Sequence, residues 1–299
     1  SPSRKDADVA YLFLQVFVDQ PSVSDSQNCG NILAGVGPWA IENGLVTPHD
    51  HETAVRIHMI NSGSMAVAYL PTPGGRVEYE GEARIDGVPG TAAAIPIDFL
   101  DVAGSNCGAL LPTGNVSDII DGVKVTCIDN GMPVVVLPAA EFDLDGNEAP
   151  AVLEANADLK RRLERIRLSA GEMMNLGDVQ KKTVPKMSLV SPPRSGGAIS
   201  TRTFIPHRVH EAIGVLGAVS VATACLLPDS IAARVARVEQ SAVGPVRIKV
   251  EHPTGFFTVD VDLDASTGDI KIRRSALLRT ARKLMCGNIY IPSSVWRGS

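Results

Sequence analysis

The chain has 299 residues, 44% of them hydrophobic and 20% charged, with a formal net charge of −5. That balance describes a globular protein with room for two medium cores, and it argues against a nucleic-acid or acidic-membrane partner, whose phosphates require a basic surface. Five cysteines without paired close spacing read as reduced thiols and not as a disulfide framework or a zinc site, and no run reaches the roughly 20 apolar residues of a membrane span.

From Leu12 to Val18 apolar, β-rich residues run almost without a break and Pro21 closes them, which predicts a buried strand over 11–19. A polar loop follows, Ser26-Gln27-Asn28-Cys29-Gly30-Asn31. Ile32, Leu33, Val36, Trp39, Ala40 and Ile41 then recur at helical spacing until Asn43-Gly44 supplies the stop. Cys29 is thereby placed at or just before a helix N-terminus. Free N–H groups and the positive end of the helix dipole favour an anion there, whether a thiolate or a bound carboxylate. A free cysteine is often a small buried hydrophobe. Asn28 and Asn31 favour the functional reading, because two amides pack poorly but serve well as hydrogen-bond partners of a ligand.

Further along, strands are predicted over 54–60, 65–70, 76–85 and 92–99, then over 123–128 and 134–137 with Asn130-Gly131 as the hairpin turn between them. Leu153, Leu159, Leu163 and Ile166 give residues 151–170 helical periodicity with a solvated charged face. Strands over 187–190 and 199–205 flank the loop Pro192-Pro193-Arg194-Ser195-Gly196-Gly197. Residues 212–227 are small and apolar throughout and read as a wholly buried helix closed by Pro228, the counterpart of the helix after Cys29. Strands over 258–262 and 270–272, a turn over 264–269 and a last strand over 289–291 complete the chain.

Asn28-Cys29-Gly30-Asn31 between a strand and a helix resembles the first active-site loop of the diaminopimelate-epimerase-like superfamily. The run from Ala103-Gly104-Ser105-Asn106-Cys107-Gly108 to Thr113-Gly114-Asn115 is similar to its PrpF branch, as are Pro185-Lys186-Met187 leading to Val190-Ser191-Pro192-Pro193, His210-Glu211-Ala212, and Arg279-Thr280-Ala281-Arg282. Together these segments cover nearly the whole chain. The resemblance implies an α+β fold of two similar domains, each a β-barrel-like sheet wrapped around a central apolar helix, with the active-site cleft between them. Residues 1–112, with a C-terminal return at 277–299, would form the first domain and residues 113–276 the second.

The same resemblance implies a cofactor-independent, metal-free tautomerase or isomerase of an unsaturated tricarboxylate. Within the branch it is nearest to members that act on 4-oxalomesaconate in gallate degradation. 2-Methylaconitate and methylitaconate are the alternative substrates, differing by a substituent that a few loop side chains decide. The expected partner is a small di- or tricarboxylate, with no nucleic acid and no membrane. A homo-oligomer is the base-rate expectation. Without a basic-then-apolar leader the expected compartment is the cytoplasm. In the epimerases the second central helix also begins with a thiol, whereas here the matching region is Gly214-Val215-Leu216-Gly217-Ala218 and Cys225 lies about two turns deeper, which disfavours a two-thiol racemase. Family members also begin with Thr-Ser-Lys-Gly and Thr-Ser-Lys segments, the latter carrying the partner acid/base. This chain opens at Ser1-Pro2-Ser3-Arg4-Lys5 with neither, so an upstream segment is expected to be missing and the second acid/base is unassigned.

Moving a proton along an unsaturated acid requires a base for an acidified C–H and stabilisation of the resulting enolate charge. Cys29 is the candidate catalytic group. Backbone N–H groups at Gly30, Asn31 and Gly217, with Asn28 and Asn106, are the candidates for enolate and carboxylate binding. Ser64 in Asn61-Ser62-Gly63-Ser64 either binds a carboxylate or belongs to a turn. Ser105 shares its motif with Asn106. His210, and with less support His207, either approach the cleft or cap the helix behind them. Lys186 reads as a salt-bridging strand-end residue, with replacement of the missing lysine as the alternative. Arg279 and Arg282 either pair within the chain or clamp a carboxylate. Cys107 departs from the smaller polar residue that the resemblance implies there, and Cys127 and Cys286 read as structural. Two other classes stay open: a non-catalytic carboxylate-binding fragment, and a cysteine hydrolase, which needs a histidine oriented by Asp or Asn beside Cys29. No dinucleotide or phosphate-loop glycine pattern is present.

Overall fold

The structure is a computed structural model that describes residues 4–16, 21–25, 29–100, 102–238, 245–264, 270–288 and 290–295. In chain order the strands are β1 (Val9–Tyr11), β2 (Gln15–Val16), β3 (Val23–Ser24), β4 (His51–Met59), β5 (Ser64–Thr72), β6 (Ile95–Leu100), β7 (Asp118–Ile120), β8 (Val123–Asp129), β9 (Pro133–Pro138), β10 (Lys186–Ser191), β11 (Ile199–Phe204), β12 (Val246–His252), β13 (Gly255–Asp264) and β14 (Lys271–Arg279). The helices are α1 (Gly30–Leu33), α2 (Val36–Glu42), α3 (Pro150–Ala155), α4 (Ala157–Met173), α5 (Val215–Cys225) and α6 (Ile231–Val235).

Twelve of the described strands join in one mixed sheet, ordered β1-β4-β5-β6-β14-β13-β12-β11-β10-β9-β8-β7. Late strand β14 lies antiparallel between β13 and β6, so it links the strands of the second half to those of the first. Every residue of α5 is buried. The helix touches β8 and β9 on one side and β12 and β13 on the other, strands well separated in the sheet order, so the sheet curls around it. That is why its sequence is apolar on all faces. α6 packs on β8, β9 and β10 and α4 on β10, and the residues of β9 and β10 are almost uniformly buried.

The strand expected over 11–19 is not continuous. β1 pairs in parallel with β4 only as far as Tyr11 opposite Met59, where β4 turns into β5 and offers no further partner. Asn61 instead takes the Phe13 N–H on Oδ1 (2.9 Å) and donates Nδ2 to the Phe13 and Asp25 carbonyls. Leu12, Leu14 and Val16 consequently face outward. The helix after Cys29 divides into α1 and α2 at Ala34-Gly35 and is buried on one side only, with Ile32 55% and Trp39 57% exposed. It does not share the all-round burial of α5.

Residues 76–85 do not form the expected strand. β5 and β6 already have partners on both edges, and the segment keeps one isolated bridge, Ala83 to Ala92. The helix predicted over 151–170 breaks at Asn156, whose side chain accepts the Leu159 N–H and starts α4. β14 is much longer than the strand expected over 270–272. Of the last expected strand, residue 289 lies outside the described residues, and Tyr290 and Ile291 are exposed and not in a strand. The turn at 265–269 likewise lies outside them. Among the described residues no helix is long and apolar enough to cross a membrane.

Candidate active site

Cys29 is the N-cap of α1, in extended conformation, and is half-buried against the main core. Its carbonyl accepts both the Leu33 N–H at 3.1 Å, which begins the helix, and the Tyr11 hydroxyl at 3.2 Å. Burial first, and the neighbouring Cys29 second, hold the Tyr11 phenol well above its ordinary pKa, so it stays a hydrogen-bond donor. Next to Cys29, Gly30 lies hard against α5: a Cβ there would meet Val215 Cγ1 at 2.5 Å. Only glycine lets the start of α1 approach the start of α5 this closely.

That approach brings Cys29, Gly30, Asn31 and the first turn of α5 around a cavity of about 250 Å³. Its remaining walls come from Phe13 and Gln15 on the first half of the chain and from Met132, Lys186, Thr203, Ile205 and His210 on the second. Gly214 caps α5, leaving the N–H groups at its first turn without helical acceptors, and a Cβ added at Gly217 would meet only Ile213 at 3.8 Å. The cavity therefore has a helix N-terminus of an eleven-residue helix on one wall, suited to an anion.

Lys186 opens β10 and is 8% exposed. No ion pair neutralises it among the described residues, and desolvation, reinforced by the charge of Arg167, lowers its pKa from 10.5 to about 8. Arg167 itself is fully buried. It is gripped by both carboxylate oxygens of Glu164 and donates Nη1 to the Val179, Lys182 and Val184 carbonyls, which fixes the segment leading into Lys186. His210 has a lowered pKa through burial and then the Lys186 charge. Its Nδ1 accepts the Ala212 N–H at 2.9 Å, so the neutral ring carries its proton on Nε2. Among the described residues no carboxylate or amide is hydrogen-bonded to the ring as a hydrolase triad requires.

A second, larger cleft of about 820 Å³ shares Asn31, His210 and Gly214 with this cavity and extends past His252 and Thr254 to Phe257 and Arg279. The two recesses adjoin across the three shared residues; Lys186 lines the smaller, His252 and Arg279 the larger, and His210 both. Among the described residues no cluster of three or more His, Cys, Asp or Glu converges as a metal site requires.

The structure thus brings Cys29, Gly30, Asn31, His210 and Gly217 together. Asn28 lies outside the described residues. Ser64 is buried at the start of β5 and lines neither recess. Ser105 and Asn106 line neither: Asn106 N–H and Nδ2, with the Cys107 N–H, surround the Asp129 carboxylate and fold the loop onto β8. His207 faces Glu164 at 3.6 Å, and Cys225 is buried within α5. Lys186 is not the salt-bridging residue its position implied. A lysine opening an apolar strand with no carboxylate nearby in the sequence was the available signal. Tyr11, Thr203 and His252 carried no sequence signal, because only the curl of the sheet gathers them.

Residues 1–292 match the family described as PrpF protein. A (4E)-oxalomesaconate Delta-isomerase of a Novosphingobium species is 58% identical over 96% of this chain and 79% of its own length. A 4-oxalomesaconate tautomerase of Pseudomonas putida is 55% identical over 99% of this chain and 80% of its own. The crystal structure of a methylitaconate-delta-isomerase superposes with a TM-score of 0.85 at 30% identity, over 100% of this chain and 81% of that one. The fold is the α+β architecture of such isomerases, one large sheet with few helices. The chain belongs to the PrpF family, and like these relatives it is an isomerase.

Proposed function

We propose that the protein tautomerises 4-oxalomesaconate in gallate degradation without a cofactor, in the cytoplasm, using Cys29 and Lys186 as the two proton-handling groups. The observation that carries this reading is that the two side chains line one small cavity beside the N-terminus of α5. The identity above 50% to two enzymes named for this substrate supports the choice of acid.

One group takes the proton from a carbon acidified by the neighbouring carbonyl. The freed electron pair passes into the conjugated system, and the negative charge gathers on the carbonyl oxygen. The other group returns a proton at the far end, so the substrate is isomerised with no net gain or loss. The N–H groups of α5 and the His210 Nε2–H stabilise the enolate oxygen and the adjacent carboxylate. Gly30, Asn31 and Gly217 serve this binding role through their backbone. In this reading the cavity, lined by Phe13 and Cys29 and also by Lys186 and Thr203, is the cleft between a first domain of residues 1–112 with 277–299 and a second of 113–276.

The test offers 4-oxalomesaconate, 2-methylaconitate and methylitaconate separately and follows isomerisation by proton NMR. The reading expects the highest kcat/KM with 4-oxalomesaconate. A preference for either methylated acid would move the chain to the other substrates, and no turnover with any would leave a carboxylate-binding role.

A further inference from the structure

Arg279, the last residue of β14, is a buried cation that no anion pairs with among the described residues. It is 7% exposed and its guanidinium lies 3.9 Å over the Phe257 ring. Nη1 donates to the Leu278 carbonyl at 3.1 Å, while Nε finds no hydrogen-bond partner. Other arginines of the same strand are neutralised: Arg274 grips Asp98 through two bonds, and Arg273 pairs with Asp264. The difference is local to the position where β14 reaches the cleft. Arg282, three residues on, is engaged with the Thr91 carbonyl. Burial alone depresses the Arg279 pKa to about 10, with no carboxylate opposing it.

A desolvated guanidinium is tolerated where an anion completes it, and its planar fork fits a carboxylate through two parallel N–H···O bonds. Arg279 lines the larger cleft, which adjoins the Cys29 cavity and shares Asn31, His210 and Gly214 with it. We propose that Arg279 binds the substrate carboxylate farthest from the reacting carbon and so selects for tricarboxylic acids, with the Phe257 ring holding the fork in plane. This rests on the reading of the protein as an isomerase of a tricarboxylate. Lys186 and the α5 N-terminus take the charge near the reacting carbon, and Arg279 takes the charge at the remote end.

The test uses tricarballylate, an inert saturated tricarboxylate, titrated calorimetrically into the wild-type protein, Arg279→Met and Arg279→Lys. Arg279→Met is expected to weaken binding about 10- to 100-fold, as loss of a charged hydrogen-bonded pair does, with Arg279→Lys in between. The ligand-free Arg279→Met protein is expected to melt at or above the wild-type temperature, because an unpaired buried cation has been removed. Binding within about threefold of wild type would overturn the proposal. So would weakened binding accompanied by a clear fall in the ligand-free melting temperature, which marks a structural role. Should Arg279→Met not fold, Arg279→Lys decides: at least fivefold weaker binding supports the proposal, and wild-type binding overturns it. A wild-type protein that binds tricarballylate through Arg279 yet isomerises none of the three acids would sink the catalytic reading and leave this subsite standing.

Discussion

Lys186 and Cys29 come from opposite halves of the chain and line one cavity of about 250 Å³. Neither half supplies a complete site. Cys29 is held by the Tyr11 hydroxyl on its carbonyl and by the contact of Gly30 with Val215, and Lys186 by the buried Arg167 beneath its strand. Although the chain is net negative, two buried cations, Lys186 and Arg279, line the two adjoining recesses.

The lowered pKa of Lys186 is a stability statement. Its folded value is about 8 against 10.5 for the free side chain. Between those values the unfolded chain binds more protons, so stability rises with pH. The burden of the buried charge is fully present below pH 8 and gone above pH 10.5. Urea unfolding of wild type and Lys186→Met across this window is expected to show the wild type gaining on the variant by on the order of 3 kcal/mol. Parallel curves would mean that Lys186 is not desolvated.

Gly30→Ala places a methyl 2.5 Å from Val215 Cγ1 and forces α1 from α5. The overpacking is expected to lower stability by about 1–3 kcal/mol and to reduce kcat, since Cys29 moves with its helix. Trimming the partner with Val215→Ala should recover part of both. A double-mutant cycle measures the coupling, and strict additivity would show that the two helices do not meet as described.

Gly217→Ala separates stability from function. Glycine inside a helix costs roughly 0.5–1 kcal/mol relative to alanine, and the added methyl meets no atom nearer than 3.8 Å. The variant should therefore be more stable by that amount. The same methyl enters the cavity and should raise KM for the tricarboxylate about 10-fold or more. Unchanged KM would place the substrate away from α5.

Much of this was legible from residue pattern. The all-apolar 212–227 segment announced α5, and Asn130-Gly131 announced the hairpin of β8 and β9, because both are decided by local periodicity and turn chemistry. Cys29 was placed correctly at a helix start by the polar loop before Ile32. The apolar run at 11–19 misled because its partner β4 ends opposite Tyr11, a fact fixed by another part of the chain. Residues 76–85 alternate well enough for a strand but find no free edge. Lys186 and Arg279 were undervalued for one reason: whether a cation is paired depends on carboxylates distant in sequence, and only the folded chain shows that none arrives from the described residues. Ser105 and Asn106 misled in the opposite way, since Asn106 spends its N–H and Nδ2 on Asp129 and the Ser105 hydroxyl accepts from that same Nδ2.

The most direct measurement is incorporation of solvent deuterium into 4-oxalomesaconate, followed by proton NMR, with wild type, Cys29→Ser and Lys186→Met. The account predicts rapid exchange by wild type and a loss of about 10²–10⁴-fold in each variant, with circular dichroism unchanged. Exchange by Cys29→Ser at the wild-type rate would contradict it.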